Sequence, residues 1–442
     1  MTQILRSGTK HALYYYMMAA ICFIVIARNV VGIPIPLVSY LLLGLVLCFF
    51  CSREEIIAFM CSMAPFEMTF QYRYMLIIAA FFLLYKSKSF RLRLFLPVIF
   101  MVVWEGLHFG PGDISAASFF REFVILLVLG AVLIVEPADY SDGLPIRSMS
   151  VATLFSCMIT VISNIRVSGY SMISGDRLGS TYEQAESYSG LLNPNVGSFL
   201  CVLSICGLAM LAQQTEKKVS DYALVMGLSV FVLLFQSKAA IISLAFAVVI
   251  YMYASSRNAI SPTIKIFALG LLAGAAGLLL FRGAIISLIT RFTAADFTSG
   301  RLSLLVFYHK YLMSDISHIL FGTGLYNYTV TIAEQFPAGI LASTRAVTYI
   351  NNHMVLVMSH NNIQEILIVW GIPGLFLVGW LLNNILKHKK NVKDLMHFLA
   401  FDFILLYTLQ GQLISSSVVQ LGLLFAMVCM EFRVKEERPA TM

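Results

Sequence analysis

Residues 282–301 read RGAIISLITRFTAADFTSGR, and the stretch they open closes with VMSHN at 357–361. Within it lie Arg291, Ser299-Gly300-Arg301 and Phe321-Gly322-Thr323-Gly324, and Ser359-His360-Asn361-Asn362 ends it. On either side the chain is apolar almost without relief. A chain that spends its length in apolar runs and then presents a more polar segment of about eighty residues rich in Arg, Gly and His is read as holding its chemistry there; loops of that length are functional or carry structure of their own.

Working outward, composition sets the class. The hydrophobic fraction is 59% and the charged fraction 12%, against roughly a quarter charged in ordinary soluble domains. Apolar runs of near-spanning length recur from end to end, which predicts an all-α, polytopic transmembrane helix bundle of about 12–14 spans forming one integral-membrane domain over 1–442. Helices are expected near 12–27, 33–51, 56–70, 75–85, 94–108, 117–135, 149–165, 192–212, 221–236, 239–254, 264–281, 362–384, 395–411 and 417–432. The first apolar run follows Arg6 and Lys10 and leads directly into the next, so it is read as a retained helix and not as a cleaved leader. The eight cysteines are mostly scattered through apolar runs without C-x-x-C spacing, as small hydrophobes rather than a disulfide framework or a metal site.

Charge then orients the spans. With the N-terminus inside, Lys86, Lys88, Arg91, Arg93, Lys217, Lys218, Lys387, Lys389, Lys390, Lys393, Arg433, Lys435 and Arg438 all fall on the cytoplasmic side, together with both termini. The opposite side carries Arg28, Arg73, Arg121, Arg166, Arg177, Arg282, Arg291, Arg301 and Arg345, but only Lys238 and Lys310 among lysines. Orientation rules disfavour cations there. A set that is present and nearly all arginine suggests a ligand whose phosphate or carboxylate oxygens suit guanidinium forks, against the plainer reading of pairs with outward acids such as Glu67, Asp176 or Asp296.

Two outward segments exceed a turn: 166–195, rich in Gly, Ser and Tyr, and 282–361. Inside the second, Leu302 to Met313 suits an amphipathic helix begun at Ser299, and Asn327 to Phe336 a shorter one ended by Pro337 and Gly339. Two weaker constellations stand outside these segments. Glu105 and His108 are spaced i, i+3 at the outer end of a span beside Trp104, as an acid/base pair, half a metal site or a hydrogen-bonded interfacial pair. Glu67, Gln71, Tyr72, Arg73 and Tyr74 form a polar cluster that either helps hold a sugar or makes an ordinary turn.

Five motifs then occur in order. These are Asn193-Pro194-Asn195, Gln236-Ser237-Lys238-Ala239-Ala240, Thr298-Ser299-Gly300-Arg301, Phe321-Gly322-Thr323-Gly324-Leu325-Tyr326-Asn327-Tyr328, and Ser359-His360-Asn361-Asn362-Ile363-Gln364-Glu365 followed by Gly371-Ile372-Pro373-Gly374. Over about residues 165–385 this order resembles the O-antigen polymerase and O-antigen ligase superfamily; the first 160 residues resemble it in hydropathy alone. Lys238 departs from the pattern, since relatives often carry arginine after the serine, which keeps the charge and loses the fork.

The resemblance implies a glycosyltransferase of GT-C-like architecture in the bacterial inner membrane, its active site facing the periplasm. Its donor is an undecaprenyl-pyrophosphate-linked oligosaccharide, used without metal, cofactor or nucleotide sugar. A polymerase joining repeat units is the first reading. The alternatives are a ligase delivering glycan to lipid A-core, and a lipid-linked oligosaccharide flippase or transporter, which should bury polar groups near the membrane midplane. Implied partners are the bilayer, a polysaccharide chain-length regulator and a flippase, with no nucleic acid.

Such a reaction needs departing negative charge stabilised, an acceptor hydroxyl positioned and its proton removed. Arg177, Arg291 and Arg301 are the expected pyrophosphate contacts, each beside Gly or Thr in a loop, with Arg301 at an expected helix start where backbone N–H groups assist. His360, at the outward mouth of the last polar-led helix, is the expected proton acceptor or acceptor-orienting group, as the family places a histidine by its active site. Lys238, Asn195, Arg73 and Glu365 complete the expected substrate contacts.

Overall fold

The computed structural model describes residues 11–66, 72–91, 96–108, 143–169, 176–179, 193–214, 219–245, 282–293, 301–324, 347–350, 353–356 and 361–386, with single positions 128, 130, 131, 171, 332, 425 and 429. The described chain is mostly helical. In order come α1 (Ala12–Ile26, running into a π-helical turn, Ala27–Val31), α2 (Leu37–Phe50), α3 (Arg53–Ser62, then a 3-10 turn, Ala64–Phe66), α4 (Tyr72–Tyr85) and α5 (Leu96–His108). There follow α6 (Leu144–Ser168), α7 (Pro194–Gln214), α8 (Val219–Phe235), α9 (Arg282–Thr293), α10 (Arg301–Ser314), α11 (Ile316–Phe321) and α12 (Asn362–Leu386). Residues 238–245 are also helical. Strands β1 (Val347–Ile350) and β2 (His353–Leu356) pair antiparallel, Ile350 opposite His353, and are a departure from the all-helical expectation.

Among the described residues, three helices are long and apolar enough to cross a membrane: Leu144–Arg166, Pro194–Ala212 and Ile363–Trp380. Shorter apolar helices cover Ala12–Ile26, Val38–Phe50, Met75–Tyr85 and Val219–Phe235. The spans expected at 117–135, 264–281, 395–411 and 417–432 lie outside the described residues but for single helical positions.

Side-chain contacts fix how the helices run. Tyr14, near the start of α1, stands beside Ser148, near the start of α6, and Arg166 at the far end of α6 donates to the carbonyl of Val30 beyond α1. The two helices are therefore parallel. Arg147 and Asp221 form a two-pronged ion pair, Nε–Oδ1 2.9 Å and Nη2–Oδ2 3.0 Å, which brings the starts of α6 and α8 together. The start of α7 meets the end of α8, since a Cβ added to Gly197 would lie 2.4 Å from the ring of Phe235. Small residues let helix backbones approach where lipid supplies no hydrophobic drive between them, and polar side chains then bond across the contact; Ser204 donates to Thr153 at 3.3 Å between α7 and α6.

These contacts sort the helix termini into two ends. At one end His11 meets Glu55 at 2.7 Å, Ser52 caps α3 in a capping box with Glu55, and Arg147 meets Asp221. There too the Lys86 ammonium donates to the carbonyls of Cys48, Phe49 and Cys51, the exposed end of α2. At the other end lie Arg28 against the Tyr40 hydroxyl, Arg166 against Val30, and Arg177 against the end of α8. Each contact joins termini that charge alone had assigned to a common side. Cations thus close helix C-termini whose last carbonyls have no partner within the helix.

Helix α12 is broken at Gly371, whose φ of 65° interrupts it two residues before Pro373. Pro373 has no N–H to offer the carbonyl of Val369, and the break takes the Ile372 N–H from that of Ile368. Both carbonyls are satisfied from another segment. Thr323 N–H donates to Ile368 at 2.7 Å, its hydroxyl to the same oxygen at 3.0 Å, and Gly324 N–H to Val369 at 2.9 Å. Contact is so close that a Cβ on Gly322 would sit 2.5 Å from the Val369 carbonyl oxygen, and one on Gly371 2.6 Å from that of Leu320. The Trp104 indole N–H joins α5 to this joint by donating to the Phe321 carbonyl at 2.9 Å.

Candidate functional site at a helix junction

Three of the expected substrate contacts meet at one place. Residue Gln236 adopts φ 50°, which ends α8 and turns the chain into the helical residues 238–245. At that corner Asn195, in the first turn of α7, places Oδ1 where it accepts from Arg177 Nη2 at 3.0 Å and from the Ser237 hydroxyl at 3.2 Å. Arg177 Nε donates to the Phe235 carbonyl at 2.9 Å, and Leu178 N–H donates to that of Leu234 at 2.9 Å. The segment 176–179 is thereby stitched to the end of α8, with Leu178 fully buried. Lys238 follows directly on Ser237 and is half-buried. Because two donors face it, the Asn195 atom at the hub is the carbonyl oxygen of its amide.

The same corner holds α9. Gln236 is fully buried, and its Oε1 accepts from the Ser287 hydroxyl at 3.0 Å. Arg291 stands one helical turn beyond Ser287 on α9. The sequence reading placed Arg291 in a loop; it is helical, because Arg282–Thr293 continues as a helix up to Thr293. Asn193 Oδ1 accepts from Asn195 N–H at 2.9 Å, so the two asparagines flanking Pro194 act as the cap and the hub of one helix start.

A second cluster forms at the start of α12. Asn361 Oδ1 accepts from the N–H groups of Ile363 at 3.0 Å and Gln364 at 3.3 Å, which caps the helix. Gln364 Nε2 donates to the Leu305 carbonyl of α10 at 2.9 Å, and Glu365 beside it is buried. Arg301 is the first residue of α10, one turn before Leu305, so the helix expected from Ser299 begins at Arg301. His360 lies outside the described residues. Arg73 occupies the second position of α4, which makes Tyr72, Arg73 and Tyr74 a first helical turn instead of a connecting turn.

Other polar side chains of the described residues have partners within the protein. His108 Nδ1 donates to the Trp104 carbonyl of its own helix at 2.9 Å. His318 stacks on Tyr311, centroids 4.3 Å apart, and its Nδ1 donates to the Tyr311 carbonyl at 3.1 Å. Arg28 and Arg166, read as ligand-seeking cations, are held by Tyr40 and Val30. Sequence reasoning passed over Ser237, Ser287 and Gln236 as site residues, although the Gln-Ser-Lys run was visible, because nothing in the order of residues says that a serine fifty positions on would reach that glutamine.

No protein-family model matches the chain, and no curated protein matches it.

Proposed function

We propose that this chain is a membrane-embedded glycosyltransferase that polymerises undecaprenyl-pyrophosphate-linked oligosaccharide repeat units at the periplasmic face of a bacterial inner membrane. The observation that carries the reading is the convergence of Arg177, Asn195 and Lys238 on one helix junction, with Arg291 a turn beyond Ser287 on the helix docked there. Fixed cations at the end of an apolar bundle suit a lipid whose pyrophosphate lies at headgroup depth while its tail stays among the helices. In the reaction an acceptor hydroxyl oxygen bonds to the anomeric carbon of the donor. The carbon–phosphate oxygen bond breaks, and its electron pair leaves with the pyrophosphate towards Arg177, Arg291, Arg301 and Lys238. His360 takes the hydroxyl proton. Asn195, Arg73 and Glu365 are assigned to holding the sugars.

Deletion of the gene in its host tests this. A polymerase leaves surface lipid A-core capped by single repeat units and accumulates none of the long chains. Uncapped core with accumulated long lipid-linked chains would instead identify a ligase, and unchanged chain length would overturn the proposal.

A further inference from the structure

Gln364 is 9% exposed, and its amide can be oriented in only one way. The Leu305 carbonyl accepts and cannot donate, so Nε2 must face it and Oε1 must face away. That Oε1 is buried and meets no hydrogen-bond donor among the described residues. A buried carbonyl acceptor left without a donor costs folding free energy that an apolar side chain of the same shape would not cost. The N–H groups of Ile363 and Gln364 are already taken by Asn361. What is offered is an acceptor, four residues after His360 and next to Glu365. The half-helix carrying it is held at its other end by Thr323 and Gly324.

Resting on the proposed transferase reading, we infer that Gln364 binds a hydroxyl group of the carbohydrate acceptor beside the attacking one, its Oε1 accepting that hydroxyl's hydrogen and so orienting the sugar while the attacking hydroxyl gives its proton to His360. A donor from substrate completes the amide's hydrogen bonding, which accounts for a buried amide whose oxygen meets no donor among the described residues.

The test compares purified wild type with Gln364→Met, which keeps the shape and removes both polar atoms, using the undecaprenyl-pyrophosphate-linked repeat unit as substrate. Thermal unfolding without substrate and kcat/KM are both read. Gln364→Met should unfold no earlier than wild type yet lose at least about tenfold in kcat/KM, the worth of one hydrogen bond to a buried partner. Gln364→Glu serves as the second variant: its protonated acid donates to Leu305 and keeps a carbonyl acceptor, so its kcat/KM as a fraction of wild type at the same pH should be highest at low pH and fall as the carboxyl ionises. Wild-type kcat/KM in Gln364→Met, or a loss of activity matched by early unfolding in Gln364→Met and by pH-independent activity in Gln364→Glu, would overturn the inference. An inactive wild type would overturn the transferase reading and this one with it, whereas an active wild type with an unaffected Gln364→Met would overturn this one alone.

Discussion

Arg177 and Asn195 lie 3.0 Å apart, guanidinium to amide oxygen, and through that contact a loop segment, the start of α7 and the end of α8 become one structure. Arg177 also donates to the Phe235 carbonyl, so its position is fixed before any ligand arrives. Under the proposed function, charge preorganised in this way needs no rearrangement when the leaving group departs.

The first prediction concerns that hub. Asn195→Leu leaves the Arg177 and Ser237 donors facing an apolar group and should lower stability by about 1–3 kcal/mol. Long-chain polysaccharide should be lost in the same variant. Arg177→Lys keeps charge but cannot reach both the Phe235 carbonyl and Asn195, and should shorten chains without abolishing them. Thermal unfolding in detergent and electrophoretic chain-length profiles check both; normal chains from Asn195→Leu would contradict the hub's role.

The second concerns the joint in α12. Alanine at Gly371 combines a left-handed backbone with a Cβ against the Leu320 carbonyl, and should destabilise by at least about 2 kcal/mol. Thr323→Val keeps the shape and both backbone bonds while losing one hydroxyl bond, for a cost of about 0.5–1.5 kcal/mol. A Gly371→Ala protein as stable as wild type would show that α12 tolerates an unbroken course.

How much of this was legible in the sequence depends on the range of the contact involved. Among the described residues, hydropathy located the apolar helices, such as α1, α7 and α8, but not the polar-segment helices α9 and α11, and α10 was read almost to its ends because Ser299-Gly300 precedes an amphipathic run. Among the described residues, the contacts from His11–Glu55 to Arg177–Phe235 group the helix ends as the Lys and Arg counts do, and thiol labelling decides which group faces outward. The motif pair Phe321-Gly322-Thr323-Gly324 and Gly371-Ile372-Pro373-Gly374 was visible, but its reason was not. Only the fold shows that Thr323 and Gly324 supply the N–H groups that Pro373 and the break at Gly371 withhold. The bond of Arg166 to the Val30 carbonyl was not legible for a similar cause, since its partner is a backbone carbonyl, which no residue type announces.

The third prediction is one of pH. Burial, assisted by the Asp315 charge and opposed by the Thr323 hydroxyl, pushes the Tyr311 phenol up to about 12. The folded state therefore favours the neutral ring. Stability from this residue is fully present below the ordinary value of 10.0 and is lost as pH rises from there through about 12. Tyr311→Phe should flatten the alkaline stability profile over that window. Identical profiles for the two proteins would contradict the burial of Tyr311 against α11.

A fourth prediction tests sidedness. With native cysteines replaced, single cysteines introduced at Gly179 and Gly339 should react with an impermeant thiol reagent added outside the inner membrane, and one at Lys390 should not. Labelling confined to Lys390 would invert the bundle.

The central claim is most directly tested with purified protein, lipid-linked repeat unit and no other enzyme. Wild type should convert the substrate into a ladder of longer lipid-linked glycans, releasing one undecaprenyl pyrophosphate per bond formed, with chelator present. The variants Arg291→Ala and Arg301→Ala should lose the ladder while remaining folded, and His360→Ala should slow it roughly 10²–10⁴-fold with donor binding kept. A folded wild-type protein that binds the lipid-linked repeat unit yet forms no glycosidic bond would contradict the account.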